Sequence, residues 1–178
     1  MEGKWMLACQ DRLKEMTGRK HALMVTSGTS ALLLMFMALG IKQGDKVVCI
    51  NHSIPSSVMP PKLLGAKLIF TDIDQHGQQD LRDMDTTGVK ALMTTGLYGD
   101  CHDHDLVKDK QIPIINDSCQ AFLSRYKGQE ATSIGDASAI SFAQNKTCPV
   151  FGQIGKNGQY VFCLSLPKVG KIIFITPS

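Results

Sequence analysis

Two motifs bound the stretch from Asp117 to Lys146: DSCQ at residues 117–120 and SFAQNK at residues 141–146. An apolar run precedes each motif, IPII at 112–115 and ASAI at 137–140. Short apolar runs bounded by turn residues are typical of buried β-strands. The sequence therefore predicts an acid and a lysine just past the carboxyl ends of two strands. That edge is where open α/β sheets bind their ligands.

An aspartate and a lysine at one sheet edge fit a site for pyridoxal 5'-phosphate (PLP). A lysine amine forms a Schiff base with the PLP aldehyde, and a carboxylate keeps the pyridine nitrogen protonated. Asp117 or Lys146 alone is more typical of a solvated loop. The interpretation therefore depends on the motifs found elsewhere in the chain.

These motifs resemble, in order and spacing, those of the DegT/DnrJ/EryC1/StrS sugar aminotransferases, a branch of the fold-type I PLP enzymes. The resemblance is strongest over residues 17–155, and residues 166–178 match nothing in the family. It implies that residues 1–178 are a truncated PLP-binding large domain. The matching pieces are SGTSAL at 27–32, GDKV at 44–47, GAK at 65–67, DID at 72–74, LYG at 97–99, Asp117 with QA at 120–121, YKG at 126–128, GD at 135–136, and SF at 141–142 with Lys146.

The resemblance implies a role for each candidate site residue. Lys146 carries the cofactor and moves protons, and Asp117 contacts the ring nitrogen. The ring-face position is Ile54 or, alternatively, His52, where the family has an aromatic residue. Residues 27–30 alone fit ordinary helix capping better than phosphate binding. The resemblance assigns the phosphate to Gly28, Thr29, Ser30 and Ser141, and the phenolic oxygen to Gln120.

The implied activity is transfer of an amino group from glutamate or glutamine to a nucleotide-linked keto sugar, in amino-sugar and polysaccharide biosynthesis, including lipopolysaccharide. The implied assembly is a cytoplasmic homodimer. An alternative is a catalytically deficient member that acts through PLP binding or subunit pairing. A third interpretation is another PLP reaction such as sugar dehydration. The enzymes that catalyse it usually have another residue in place of the lysine, so Lys146 argues against it.

Composition excludes several other classes of function. The chain has 178 residues, 43% of them hydrophobic, and a net charge of +3. Dispersed basic residues do not indicate nucleic acid binding, and the apolar run at 31–41 is too short to span a bilayer. The six cysteines form no C-x-x-C pair, which favours reduced thiols. The GDCHDHD run at 99–105 contains metal-ligand residue types, but we expect a loop with an N-cap at Asp103 or Asp105 rather than a metal site.

The alternation of strand and helix patterns predicts a three-layer α/β/α fold with a mostly parallel sheet and helices on both faces. This is the large-domain type of the PLP-dependent transferases, here incomplete. Helices are predicted over 5–16, 31–39 and from about 57 to 64. Strands are predicted over 22–26, 46–50, 68–71, 89–94, 112–116, 137–140, 159–164 and 171–176, with a small hairpin over 125–130.

Overall fold

A computed structural model of the chain describes residues 4–143, together with Lys146 and Cys148. In this part helices and strands are interspersed as far as Asp117, and a small hairpin and a last strand follow. The helices are α1 (Lys4–Thr17), α2 (Gly28–Ala38) and α3 (Pro55–Leu63). The strands are β1 (Lys46–Ile50), β2 (Lys67–Thr71), β3 (Val89–Thr95), β4 (Ile114–Asp117), β5 (Arg125–Tyr126), β6 (Gln129–Glu130) and β7 (Ala137–Ala139).

Five strands form one sheet in the order β2-β1-β3-β4-β7, and every pair in it is parallel. The chain places β2 on one side of β1 and β3 on the other. This reversal is a topological switch point, where the connections diverge and leave a crevice beyond the carboxyl ends of the strands. The order also places β4 between β3 and β7, so segments that follow β1, β4 and β7 share one edge.

Helices α2 and α3 contact each other and cover one face of the sheet. The buried face of α2 includes Met35 and Phe36, neither of which is exposed to solvent. They pack in one hydrophobic cluster with Val47, Met93 and Ile115 from three strands. Full burial of each such side chain contributes about 1.5–3 kcal/mol, so this cluster fixes the position of α2 against the sheet.

On the opposite face, residues from connecting segments pack against the central strands. Val48, Leu92 and Ile114 pack there against Leu81 and Val107. Leu81 belongs to an irregular segment, and Val107 follows a short 3₁₀ turn, His104–Leu106. The α/β class and the parallel sheet are thus as predicted.

A third hydrophobic cluster supports the segment that leads to Lys146. Phe122 and Phe142 meet edge to face, with ring centroids 5.4 Å apart. Leu13 from α1 and Ile140 complete the buried part of the cluster with Ala22. Because edge-to-face aromatic pairs are favourable in addition to their buried area, this packing holds the backbone just after β7.

The prediction of a strand over 22–26 is wrong for the structure as described, where this segment has no regular secondary structure. A strand requires a neighbour for its backbone groups, and these residues are paired with none of the described strands. The Met24 N–H instead donates to Oε1 of Gln10 in α1 at 3.1 Å. The strands predicted over 159–164 and 171–176 lie outside the described residues.

The remaining predicted elements agree with the structure within a few residues. Strand β1 has the predicted bounds, and the hairpin over 125–130 is present as β5 and β6. Helix α2 begins at Gly28, three residues before the predicted start, because Ser27 caps it. Among the described residues, no helix is long and apolar enough to cross a membrane.

Candidate active site

A cavity of about 230 Å³ opens at the carboxyl edge of the sheet. Its walls come from four places: the start of α2, the start of α3, the end of β4, and the segment after β7. All four lie at the edge predicted from the two motifs. The lining residues are Ser27, Gly28, Thr29, Leu32, Ile54, Ser56, Ser57, Asp117, Cys119, Ser141, Ala143 and Lys146.

Asp117 is the last residue of β4, and its side chain is buried, with a relative exposure of 5%. The Ser57 hydroxyl donates a hydrogen bond to Oδ2 of Asp117 at 2.7 Å. The Cys119 N–H donates to Oδ1 at 3.2 Å. A carboxylate oxygen can accept more than one hydrogen bond, so Asp117 retains acceptor capacity toward the cavity that it lines.

Ser57 reaches Asp117 because α3 begins directly above the sheet edge. Pro55 occupies the first turn of the helix, where its missing N–H costs no helical hydrogen bond. The preceding Ile54 has extended backbone angles and a half-exposed side chain at 50%. Ile54 therefore lies in the cavity wall while Ser57, one turn further along, is directed to the buried carboxylate.

Cys119 lines the cavity together with Asp117 and Lys146. Burial raises the pKa of the Cys119 thiol well above its ordinary value, and the adjacent Asp117 charge raises it further. The Lys146 ammonium opposes this rise with a smaller effect. The thiol is therefore protonated at neutral pH and is not a thiolate nucleophile.

The amino end of α2 forms another wall. Ser27 is the N-cap, and its hydroxyl accepts a hydrogen bond from the Ser30 N–H at 3.0 Å. The Ser30 hydroxyl lies 2.8 Å from the Ser27 hydroxyl. Capping thus uses the Ser30 N–H, while the N–H groups of Gly28 and Thr29 lie in the first turn, which has no carbonyl partners within the helix. Such a terminus favours an anion.

Ser141 and Lys146 bring the last side chains to the cavity. Ser141 is buried, at 5% relative exposure, and its hydroxyl accepts a hydrogen bond from the Ala143 N–H at 3.4 Å. The Lys146 N–H bonds to the Ala143 carbonyl at 3.0 Å. Ala143 thus contacts both residues, and a serine and a lysine five positions apart line one cavity.

The structure brings six of the eight predicted site residues together in this cavity: Gly28, Thr29, Ile54, Asp117, Ser141 and Lys146. Ser30 is adjacent but engaged in capping. Gln120 lies outside the cavity wall, and its Oε1 accepts a hydrogen bond from the Tyr98 N–H at 3.4 Å. The roles of Ser30 and Gln120 toward a ligand remain predictions.

His52, the alternative to Ile54, has a different place. Its Nε2 lies 2.7 Å from the Tyr98 hydroxyl, and it does not line the cavity. Of the two candidates, Ile54 lines the cavity, and its role toward a ligand remains a prediction.

Sequence reasoning missed several lining residues, of which Ser57 and Cys119 make the clearest contacts. Ser57 is separated from Asp117 by 60 positions, so no local spacing could pair them. The available signal for Ser57 was its place in the first turn of a helix that follows a strand. Cys119 lies two residues after Asp117, within the motif itself, and was missed because a cysteine there has no expected role.

Residues of the GDCHDHD loop contact one another through side-chain and backbone groups. Asp103 caps the 3₁₀ turn by accepting from the Asp105 N–H, as predicted for this residue. His102 and His104 are buried and meet through Nε2 and Nδ1 at 3.0 Å. Burial lowers the pKa of both imidazoles, to about 4 for His104. Within residues 4–143, Lys146 and Cys148, no three His, Cys, Asp or Glu residues are arranged to hold a metal ion.

Comparison with known proteins identifies the family. The model of the DegT/DnrJ/EryC1/StrS aminotransferase family matches residues 1–156, which is most of the chain. The chain therefore belongs to this family.

Two curated relatives have similar levels of sequence identity to this chain. A UDP-2-acetamido-2-deoxy-3-oxo-D-glucuronate aminotransferase of Pseudomonas aeruginosa is 32% identical over 154 residues, which cover 82% of this chain and 43% of the relative. A GDP-perosamine synthase of Escherichia coli O157:H7 is 34% identical over 154 residues, covering 82% of this chain and 42% of the relative. The chain thus spans less than half the length of these relatives.

Solved structures agree with the fold. The aminotransferase from Psychrobacter cryohalolentis superposes with a TM-score of 0.81 at 26% identity, over 92% of this chain and 42% of that protein. The structure of S. venezuelae DesV, solved in complex with a ketimine intermediate, has a TM-score of 0.81 at 25% identity, over 93% and 45% of the two chains.

Proposed function

We propose that the chain is the PLP-binding part of an aminotransferase that acts on nucleotide-linked keto sugars. One observation carries this proposal. The buried carboxylate of Asp117, the amine-bearing Lys146 and the amino end of α2 face one small cavity at the switch-point edge of the sheet. Membership of the aminotransferase family supports the class of reaction.

The residues of the cavity fit PLP by their chemistry. The first turn of α2, at Gly28 and Thr29, suits the phosphate, and the buried Ser141 hydroxyl offers a further donor. Asp117 suits a protonated ring nitrogen, because a buried carboxylate is stabilised by a positively charged partner. Leu32 and Ile54 supply apolar surface for the ring. A single lysine, Lys146, lines the cavity to meet the aldehyde.

PLP, when bound, withdraws electrons from the substrate carbon that gains or loses the amino group. The protein supplies position and protons for this chemistry. Asp117 would hold a proton on the ring nitrogen, and the α2 terminus would hold the phosphate. Lys146 would hold the aldehyde through Nζ and, as a free amine, would move a proton at the substrate carbon as general base and then general acid.

The names of the relatives support the proposed class of substrate. The two curated relatives are named for UDP-linked and GDP-linked sugars, which supports a nucleotide-linked keto sugar as the amino acceptor. Glutamate or glutamine is the proposed donor. A cytoplasmic homodimer, and a role in polysaccharide or lipopolysaccharide biosynthesis, belong to the same proposal.

The experiment is covalent mapping of the cofactor. The purified chain is mixed with PLP, its visible absorbance is recorded, borohydride is added, and the modified peptide is sequenced. We expect a visible band and a label on Lys146. A Lys146→Met variant should lose both signals, while the exposed Lys127→Met should keep them. A label on Lys127 or Lys156 in the unmodified chain would contradict the assignment of Lys146.

A further inference from the structure

The contact between Ser57 and Asp117 joins two parts of the site that are distant in sequence. Ser57 belongs to α3, which follows β1, and Asp117 ends β4. Strand β3 lies between β1 and β4 in the sheet. The hydrogen bond of 2.7 Å therefore spans the end of β3 and ties the start of α3 to the carboxylate across the sheet edge.

Both partners are withdrawn from water. The relative exposure is 3% for Ser57 and 5% for Asp117. A serine in the first turns of a helix commonly bonds to nearby backbone groups, whereas here the hydroxyl donates to a carboxylate 60 positions away. Hydrogen bonds to charged groups are stronger than those between neutral groups, so this contact limits the rotation of the carboxylate about its side-chain torsions.

From this geometry we propose that Ser57 is a positioning residue, which orients the Asp117 carboxylate toward the ring nitrogen of the cofactor. The inference rests on the proposed function and adds a residue to it. The Ser57 hydroxyl holds Oδ2 and the Cys119 N–H holds Oδ1. Because each carboxylate oxygen accepts a hydrogen bond from the protein, the positions of β4 and α3 determine the orientation of the carboxylate. Its remaining lone pairs are then available to the ring nitrogen.

A structural role for Ser57 would affect every ligand of the cavity alike, whereas the positioning role is specific to the ring nitrogen. We therefore compare PLP with an analogue in which a carbon replaces that nitrogen. The unmodified chain should bind PLP more tightly than the analogue, measured by equilibrium dialysis. Ser57→Ala should weaken PLP binding roughly tenfold or more and leave binding of the analogue unchanged.

Two further variants complete the comparison. Ser57→Thr retains the hydroxyl and should keep the preference for PLP. Ser53→Ala removes another hydroxyl of the same segment, one that is buried without a hydrogen-bond partner among the described residues, and should bind both molecules as the unmodified chain does. Equal losses for PLP and the analogue in Ser57→Ala, or an undiminished preference for PLP, would overturn the role of Ser57.

A second measurement needs no cofactor. Unfolding equilibria of Ser57→Ala, Asp117→Ala and the double variant form a double-mutant cycle. We expect the effect of Ser57→Ala on the unfolding constant to shrink about tenfold when Asp117 is absent. Additive effects would overturn the contact itself. If the unmodified chain shows no preference for PLP over the analogue, Asp117 does not meet the ring nitrogen, and the proposed function fails together with the role of Ser57.

Discussion

At the scale of single residues, Asp117 has the most defined environment in the cavity, held by one hydroxyl and one N–H group. Replacement by Asn keeps the shape but removes the negative charge. We expect Asp117→Asn to retain some PLP and to lower the rate of amino transfer from glutamate by about a hundredfold or more, because charge stabilisation of this kind has such effects. The rate is read from the cofactor absorbance in single-turnover experiments.

The control for Asp117→Asn is Asp85→Asn, which removes an equal charge from an exposed loop. It should leave the rate unchanged. An unchanged rate in Asp117→Asn would remove this carboxylate from the mechanism.

For Ile54 we expect a substitution that improves PLP binding. An aromatic side chain at this half-exposed wall position would stack on a flat ring, and such stacking adds about 0.5–1.5 kcal/mol. Ile54→Phe should therefore tighten PLP binding by roughly two- to tenfold, measured by equilibrium dialysis. Ile73→Phe, at a similarly exposed position that does not line the cavity, should change nothing. Weaker binding in Ile54→Phe would show that Ile54 does not face the ring.

Gly96 is required for a close approach between two loops. A Cβ atom at this position would lie 2.5 Å from Ala121 Cβ and 2.8 Å from the Asp100 carbonyl oxygen. Gly96→Ala should therefore reduce the free energy of unfolding by about 1–3 kcal/mol, measured by urea denaturation. Ala121→Gly should restore part of this loss, because it relieves the side-chain clash and leaves the carbonyl clash. A neutral Gly96→Ala would contradict the tight packing of these loops.

Some site residues could be predicted from the sequence because each belongs to a local pattern. Asp117 and Lys146 each follow an apolar run, so their place at the strand ends follows from strand periodicity. Ser57 and Asp117 meet only because the sheet order places α3 beside β4, and local periodicity contains no information on strand order. Ser27 belongs to the SGTSAL motif, but only its distance to the Ser30 N–H shows that its hydroxyl caps α2.

At the scale of elements, the loop between β3 and β4 contains the buried pair His102–His104. Burial lowers the pKa of His104 to about 4 from an ordinary 6.5, although Asp103 and Asp105 oppose part of this effect, and burial also lowers the pKa of His102 well below its ordinary value. The folded chain therefore binds fewer protons than the unfolded chain below pH 6.5. Stability is full above pH 6.5 and declines as the pH falls toward 4.

We expect the free energy of unfolding to fall by about 2 kcal/mol from His104 alone between pH 7 and pH 5. His104→Asn, whose amide lies near the position of Nδ1, should reduce this dependence in urea titrations at the two pH values, while the buried His102 keeps its own contribution. His21→Gln, at an exposed site, should keep it. Equal pH dependence in the unmodified chain and in His104→Asn would contradict this account.

Elements with strong patterns were predicted closely, and those that depend on distant partners were not. Strand β1 is a short apolar run between a turn and a polar segment, and its bounds match. The segment 22–26 has equally strand-like residues but lacks a neighbouring strand in the described part of the chain, and backbone pairing is not a local property. On the second sheet face, Val107 follows a 3₁₀ turn and packs against Val48 and Leu92, a contact that no local pattern predicts.

At the scale of the whole molecule, apolar side chains are exposed on adjacent elements. Leu63 at the end of α3 is 64% exposed, Met59 one turn earlier 42%, and Phe70 on the edge strand β2 53%. Apolar patches of this kind mark contact surfaces, and an edge strand offers unpaired backbone groups as well.

We expect the 178-residue chain to self-associate in light scattering. Leu63→Lys combined with Phe70→Lys should reduce association, while Lys substitutions at Leu7 and Met16 of α1, which are also exposed, should not.

The same chain should bind PLP and yet turn over nucleotide sugars poorly. The cavity of about 230 Å³ is smaller than the roughly 300–1,000 Å³ of typical ligand pockets, and catalysis depends on positioning to about an ångström. A coupled transamination assay should show little or no activity. A monodisperse monomer with an ordinary enzymatic rate would contradict this prediction and the one on self-association together.

The parallel sheet also determines when the site can form. Its groups are distributed from residue 27 to residue 146, and parallel strands pair only after long intervening segments have been synthesised. During translation, therefore, the cavity stays incomplete until Lys146 has left the ribosome. Folds with such distant contacts form slowly, and a ligand of the finished cavity contributes little to the folding transition state. PLP should then act on the lifetime of the native chain, by slowing its unfolding, rather than on the speed at which it folds.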